Sequence, residues 1–182
     1  NLIYTDRNLL GEIKFFDSST GYAYAGSNRV ILKTTNGGNN WDSIYINTSP
    51  FITAIFPSSK REIIVGEGVY SSTYLTPYLL FLKSSDAGLS WNQTYYNRMY
   101  TFKGIHFKDN QNGIAIESGG IIFRTSNGGN NWVKIYENPS YSFSALKVLN
   151  DMNILIFRDI GGILKSTDYG DSWTEISTPV PN

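Results

Sequence analysis

Short apolar or alternating runs, separated by Gly, Asn, Asp, Ser and Pro, fill the chain, and no stretch keeps the period of an amphipathic helix. The pattern predicts strands throughout. Runs such as IIV and LLFL are nearly continuous, as expected of strands buried on both faces, whereas WDSIYI and WVKIYE alternate as outer strands do. The expected strands fall at 11–16, 21–26, 29–34 and 41–46, then at 51–56, 61–66, 79–84 and 91–96. They continue at 102–107, 113–118, 121–126 and 132–137, and end at 143–149, 153–158, 162–167 and 173–178. Each group of four forms one unit with strands A to D.

The third and fourth strands of every group are joined by the same eight-residue box: TTNGGNNW at 34–41, SSDAGLSW at 84–91, TSNGGNNW at 125–132 and STDYGDSW at 166–173. Every tryptophan closes a box, at 41, 91, 132 and 173, spaced 50, 41 and 41 apart. A repeat of roughly 40 residues is the length of a four-stranded propeller blade. The expected fold is therefore all-β, a β-propeller of four-stranded antiparallel blades, with one propeller region over 1–182 and blades at about 11–47, 51–97, 101–138 and 143–178. Leu2-Ile3-Tyr4 matches Lys134-Ile135-Tyr136, so residues 1–5 read as the end of a preceding D strand. That extra strand marks the chain as a segment of a larger propeller, a complete four-bladed protein being the alternative.

The box chemistry is that of a hairpin clamp. Asp and Asn accept backbone N–H bonds in turns, Gly supplies backbone angles closed to other residues, and Trp anchors the turn with a buried ring. The clamp set is Asn36, Gly38 and Trp41, Asp86, Gly88 and Trp91, Asn127, Gly129 and Trp132, and Asp168, Gly170 and Trp173. Since Asn36 and Asn127 stand where the other boxes have Asp86 and Asp168, the acid is not read as a metal ligand or catalyst. Lys33, Lys83, Arg124 and Lys165 each precede a box and read as scaffold by the same periodicity.

Composition narrows the function without naming it. Lys plus Arg and Asp plus Glu both number 15, so no net field favours nucleic acid or an anionic membrane. There is no cysteine, hence no disulfide framework and no Cys-based zinc site, and no apolar run is long enough for a transmembrane helix. No phosphate loop, dinucleotide fingerprint or zinc signature occurs, so no metal or cofactor is expected. The excess of Tyr, Asn, Ser, Thr and Gly over charged residues resembles secreted bacterial β-proteins, which points to an extracellular, cell-surface or periplasmic place.

The pattern Ser/Thr-x-Asp-x-Gly-x-x-Trp resembles the Asp-box, or BNR repeat, of sialidase-like β-propellers, and the resemblance covers the whole chain at blade spacing. The phrasing of IKFFDSSTGYAYAGSNRVILKTTNGGNNW is closest to photosystem II assembly factor-like and secreted BNR-repeat proteins. The resemblance implies that C-to-D turns share one end of the blades, while B-to-C and D-to-A connections share the other, where ligands bind.

Sorted by that rule, four of the six arginines, Arg7, Arg29, Arg98 and Arg158, fall at the ligand end, beside Asp6, Glu67, Glu117 and Asp159. Arginine suits planar recognition of carboxylates, so an anion or acidic-peptide site is one reading and solvated loop residues the other. Tyr70, Tyr74 and Tyr78 recur every fourth residue in the long second B-to-C loop, either as contact surface for a protein or glycan or as packing for the loop itself. Glu67, Glu117 and Asp159 end B strands; they serve a glycoside hydrolase if paired and are otherwise ordinary solvated acids. The single histidine, His106, shares its A-strand place with Lys14, Ile55 and Lys147 and reads as a tolerated polar position.

Three functions follow. The first is a non-enzymatic secreted or periplasmic module that binds a protein or glycan through its B–C and D–A end. The second is a glycoside hydrolase of sialidase or xyloglucanase type. The third is a structural segment of a surface adhesin that self-associates through the strand edge at Leu2-Ile3-Tyr4.

Overall fold

The computed structural model describes residues 10–25, 30–46, 52–69, 78–98, 101–150 and 152–178. The strands are Leu10–Phe15 (β1), Gly21–Ala25 (β2), Val30–Thr34 (β3) and Asp42–Tyr45 (β4), then Ile52–Pro57 (β5), Ile63–Val69 (β6), Tyr78–Ser84 (β7) and Asn92–Arg98 (β8). They continue with Phe102–Phe107 (β9), Gly113–Glu117 (β10), Ile121–Thr125 (β11) and Val133–Glu137 (β12), and with Phe143–Val148 (β13), Ile154–Arg158 (β14), Ile163–Ser166 (β15) and Thr174–Ile176 (β16). These make four antiparallel four-stranded sheets, each a meander in chain order. Every D strand starts one residue after its tryptophan instead of on it, because the ring belongs to the turn. The leading strand at 1–5 lies outside the described residues.

Register of the A–B and B–C pairs is the same in all four sheets. The Ser or Thr that opens each box pairs with the first residue of its B strand, as Thr34 with Gly21, Ser84 with Ile63, Thr125 with Gly113 and Ser166 with Ile154. At the other end of the A–B pair each A strand skips a residue, so that Leu10 pairs with Ala25, Ile52 with Glu67, Phe102 with Glu117 and Phe143 with Arg158. This β-bulge leaves Gly11, Thr53, Lys103 and Ser144 out of the ladder; it bends the strand and re-aims the residues around it. The register also moves one sequence alignment: the counterpart of His106 in the second sheet is Phe56, not Ile55.

The A-to-B turns repeat as closely as the boxes. Asp17 accepts the backbone N–H groups of Ser19 and Thr20, Ser59 those of Arg61 and Glu62, Asp109 those of Gln111 and Asn112, and Asn150 those of Met152 and Asn153. A side-chain oxygen that captures two consecutive N–H groups substitutes for the ladder bonds the turn cannot make. Each turn is then tied to the box of its own sheet. The N–H of Gly37, Ala87, Gly128 and Tyr169 donates to the carbonyl of Ser19, Arg61, Gln111 and Met152 respectively, at 2.7–2.9 Å. All four donors have positive φ, from 55° to 72°.

The chain divides into two compact units, Asn1–Met99 and Tyr100–Asn182. In the first, the face of Tyr22, Tyr24, Ile31 and Ile46 packs on Ile52, Ile55, Ile63, Val65 and Leu82 of the next sheet. The two tyrosines are buried yet keep their hydroxyls satisfied, Tyr22 donating to the carbonyl of Lys60 and Tyr24 to that of the bulged Thr53, at 3.1 and 2.8 Å. In the second unit the equivalent face carries Ile114, Ile116 and Ile122 and packs on Phe143, Ile154, Ile156 and Leu164. Each fully buried aliphatic or aromatic side chain of this kind contributes on the order of 1.5–3 kcal/mol.

Candidate functional site

The boxes are built as clamps. The opening hydroxyl of each box accepts the N–H of the box glycine, Thr34 from Gly38, Ser84 from Gly88, Thr125 from Gly129 and Ser166 from Gly170, at 2.7–2.9 Å. The same hydroxyl donates to Oδ1 of the acid or amide two residues on, and that oxygen accepts the N–H of the residue just before the tryptophan at 2.9 Å. These donors hold the carboxyls of Asp86 and Asp168 down at about 2, the Ser90 and Ser172 hydroxyls being the largest cause in each. The tryptophans are less buried than expected: Trp132 is 7% exposed, but Trp41, Trp91 and Trp173 are only half-buried. Trp41 and Trp132 meet the last residue of their own A strands edge to face, Phe15 at 6.2 Å and Phe107 at 5.7 Å.

At the opposite end of the sheets the bulge brings forward one position per B strand: Glu67, Glu117 and Arg158 are the fifth residues of β6, β10 and β14. The reading of Glu67 and Glu117 as solvated strand-end acids is incorrect. Glu67 is 0% and Glu117 1% exposed, and β6 runs two residues past Glu67 to Val69. Neither carboxylate oxygen of Glu117 has a hydrogen-bond partner among the described residues. Burial raises its pKa from 4.5 to about 7; the nearby charge of Glu137 adds to the rise and Lys134 opposes it. The chain around Glu117 is tightly tied. Gly120 N–H donates to the Glu117 carbonyl, Ser118 N–H to that of Thr101 and Phe143 N–H to that of Ser118. Gly120, at φ 76°, lies where a Cβ would come within 2.1 Å of the Asn138 carbonyl.

In the last sheet the same position holds Arg158, which is not a solvated loop arginine. Its side chain is 12% exposed, its guanidinium lies 4.4 Å from the centroid of the Tyr141 ring, and its Nη1 is 3.5 Å from Glu175. Nη2 donates to the Gly161 carbonyl at 3.1 Å, and Gly162 is small because a Cβ there would strike Nη2. Asp159 is exposed just beyond the strand; it accepts the Ser142 hydroxyl, and its N–H donates to the Ser142 carbonyl. The D-to-A connection of the second unit, with Tyr141 and Ser142, thus carries the contacts of this end. Its Asn138-Pro139-Ser140-Tyr141-Ser142 sequence held the signal, an aromatic in a connection assigned to the ligand end.

Of the remaining candidates, Arg7, Arg29, Tyr70 and Tyr74 lie outside the described residues. Tyr78 is a strand residue, not a loop one: it opens β7 and pairs with Val69 on one side and Arg98 on the other. β6 runs on to Val69 and β7 begins at Tyr78, so both strands extend into the stretch expected to be loop. No cluster of three or more metal-ligating side chains occurs among the described residues.

No protein-family model matches the chain, and no curated protein matches it. Solved structures do. The chain is similar to YCF48 bound to D1 peptide, with a TM-score of 0.54 and 15% identity over 92% of this chain and 82% of that one. It is similar to YCF48 from Cyanidioschyzon merolae at 0.63 and 16%, over 87% of this chain and 50% of that one. It is also similar to the Niastella koreensis GH74 enzyme at 0.72 and 16%, over 92% of this chain but only 30% of that one. These are β-propellers, and the likeness identifies the four sheets as propeller blades. The chain spans half or less of the second and third of these proteins.

Proposed function

We propose that this chain is a binding module that docks a protein through the end of its blades opposite the boxes. The observation that carries the reading is the fifth B-strand position of the second unit. There the repeat places a buried Glu117 carboxyl with no hydrogen-bond partner among the described residues and an Arg158 guanidinium locked on Tyr141. A buried polar group left without a partner is costly for a scaffold, and arginine and tyrosine are enriched among the anchors of recognition surfaces. YCF48, similar in fold, was solved with a D1 peptide, which supports a protein over a glycan as the partner. The boxes, with their hydroxyl–glycine and hydroxyl–acid bonds, support placing the chain with the Asp-box propellers, and the composition supports a secreted, surface or periplasmic location. Peptide and glycan arrays probed with wild type and with Arg158→Gln test this. Retention of a peptide by wild type, weakened by the substitution, is the expected result; equal retention by both removes the reading.

The pKa of Glu117 favours a second reading, glycoside hydrolysis, because a carboxyl that keeps its proton near neutrality suits a general acid. The GH74 likeness in fold is compatible with it. Turnover of xyloglucan or a chromogenic sialoside by wild type and its loss in Glu117→Gln would support this reading, and no turnover by wild type ends it.

A further inference from the structure

The second unit holds a cavity of about 150 Å³ at its box end, the end away from Glu117. It is lined by Lys108 and Asn112 of one A-to-B turn, Arg124 at the end of β11, Met152 of the next turn, and Asp168, Tyr169 and Asp171 of the last box. Its chemistry departs from the repeat. The places of Lys108, Tyr169 and Asp171 are taken in the first unit by Phe16, Ala87 and Leu89, so three apolar positions become polar or charged here. The fourth box position is Gly37, Ala87 and Gly128 in the other copies; Tyr169 keeps their left-handed backbone, at φ 55°, which is unfavourable for a large side chain. Its ring is fixed by a hydroxyl that donates to the Asn112 carbonyl and accepts the Lys108 N–H, at 3.1 and 3.2 Å.

One cation lies over that ring and a second holds its backbone carbonyl. Lys108 Nζ lies 4.5 Å from the centroid, and no acid pairs with it among the described residues. Arg124 donates from Nη2 to the Tyr169 carbonyl at 2.8 Å and from Nη1 to Asp171 at 2.6 Å. Of the two acids in the lining, Asp168 is engaged by donors of its own turn, whereas Asp171 is 68% exposed and held by Arg124. Exposed pairs of this kind are weak and exchange readily.

We propose that this cavity binds a carboxylate, which takes the place of Asp171 on Arg124 and reaches Lys108 with its second oxygen or a second acid group. At about 30 Å³ per water, the space suits a group the size of an acidic side chain and not a folded segment. The source is either a free dicarboxylate or an acidic residue of a peptide, and the experiment separates them. Isotope-labelled protein is titrated at low salt with glutarate and, separately, with the amidated, acetylated tripeptide Ala-Glu-Ala, following backbone amides. Shifts at 108, 112, 124, 169 and 171 with either probe are expected, the tighter probe naming the source. Lys108→Gln should weaken binding about fivefold, and Asp171→Asn should tighten it about threefold by removing the internal competitor, as expected of partly exposed charges. A purely structural Asp171 would not raise affinity when neutralised. No localised shift, the same shifts with sodium chloride at equal ionic strength, or affinities unchanged by both substitutions would overturn the proposal.

Discussion

The Ser90 hydroxyl donates to Oδ2 of Asp86 at 2.5 Å, and the last box repeats the bond between Ser172 and Asp168. The other two boxes carry Asn in both places, Asn36 with Asn40 and Asn127 with Asn131. An amide presents N–H2 where the carboxylate presents its second oxygen, so the bond is not available to them. Instead Asn39 and Asn130 bond back from their amides to the carbonyls of Asn36 and Asn127, at 2.7 Å. There are thus two self-consistent boxes, one built on Asp with Ser and one on Asn with Asn.

Asp86→Asn should therefore lower the urea midpoint, because it strips the Ser90 hydroxyl of its acceptor. Since the Asp86 carboxyl is held at about 2, its stabilisation is present above the ordinary value of 3.8 and is lost as pH falls toward 2. Equilibrium unfolding of Asp86→Asn should accordingly show a shallower loss of stability across that acid range than wild type.

Glu117 gives the opposite sign. The native state keeps its proton up to about pH 7, whereas the unfolded chain releases it near 4.5, so stability falls as pH rises between the two. The cost at pH 8 is about 3 kcal/mol. Glu117→Gln should therefore be more stable than wild type at pH 8 and equal to it at pH 4.5, as urea midpoints at the two values would show.

The tryptophans should not be equivalent. Trp132→Ala removes a 7% exposed ring and is expected to cost about 3–5 kcal/mol. Trp41→Ala and Trp173→Ala remove half-buried rings and should cost less; chemical denaturation of the three variants would rank them.

Backbone strain yields a stabilising substitution. Ala87 stands at φ 66°, in a place that two other boxes give to glycine. Ala87→Gly should leave the turn's bond to Arg61 intact and raise stability by up to about 1 kcal/mol, measurable as a higher thermal midpoint.

Repeated chemistry was legible in the chain because it is local. The box spacing, the C-to-D turns and the alternating strands follow from interactions within a few residues, and they were enough to identify four-stranded blades. The departures have long-range causes. Nothing around Glu117 in the sequence distinguishes it from a solvated acid; it is buried because the A-strand bulge opposite it turns that part of the strand. Arg158 becomes rigid only when Tyr141, 17 residues earlier in the chain, folds over it from the D-to-A connection. Tyr78 joins a strand because β6 continues to Val69 and offers it a partner. Arg124 looked like scaffold by periodicity, and its contacts with Tyr169 and Asp171 appear only when two sheets of the second unit stack. The sequence by itself determined which residues make turns and which make strands, since backbone preference and hydrophobic period act over short distances. Only the tertiary structure decided which charged groups lose their water, because that depends on what another strand or turn brings alongside.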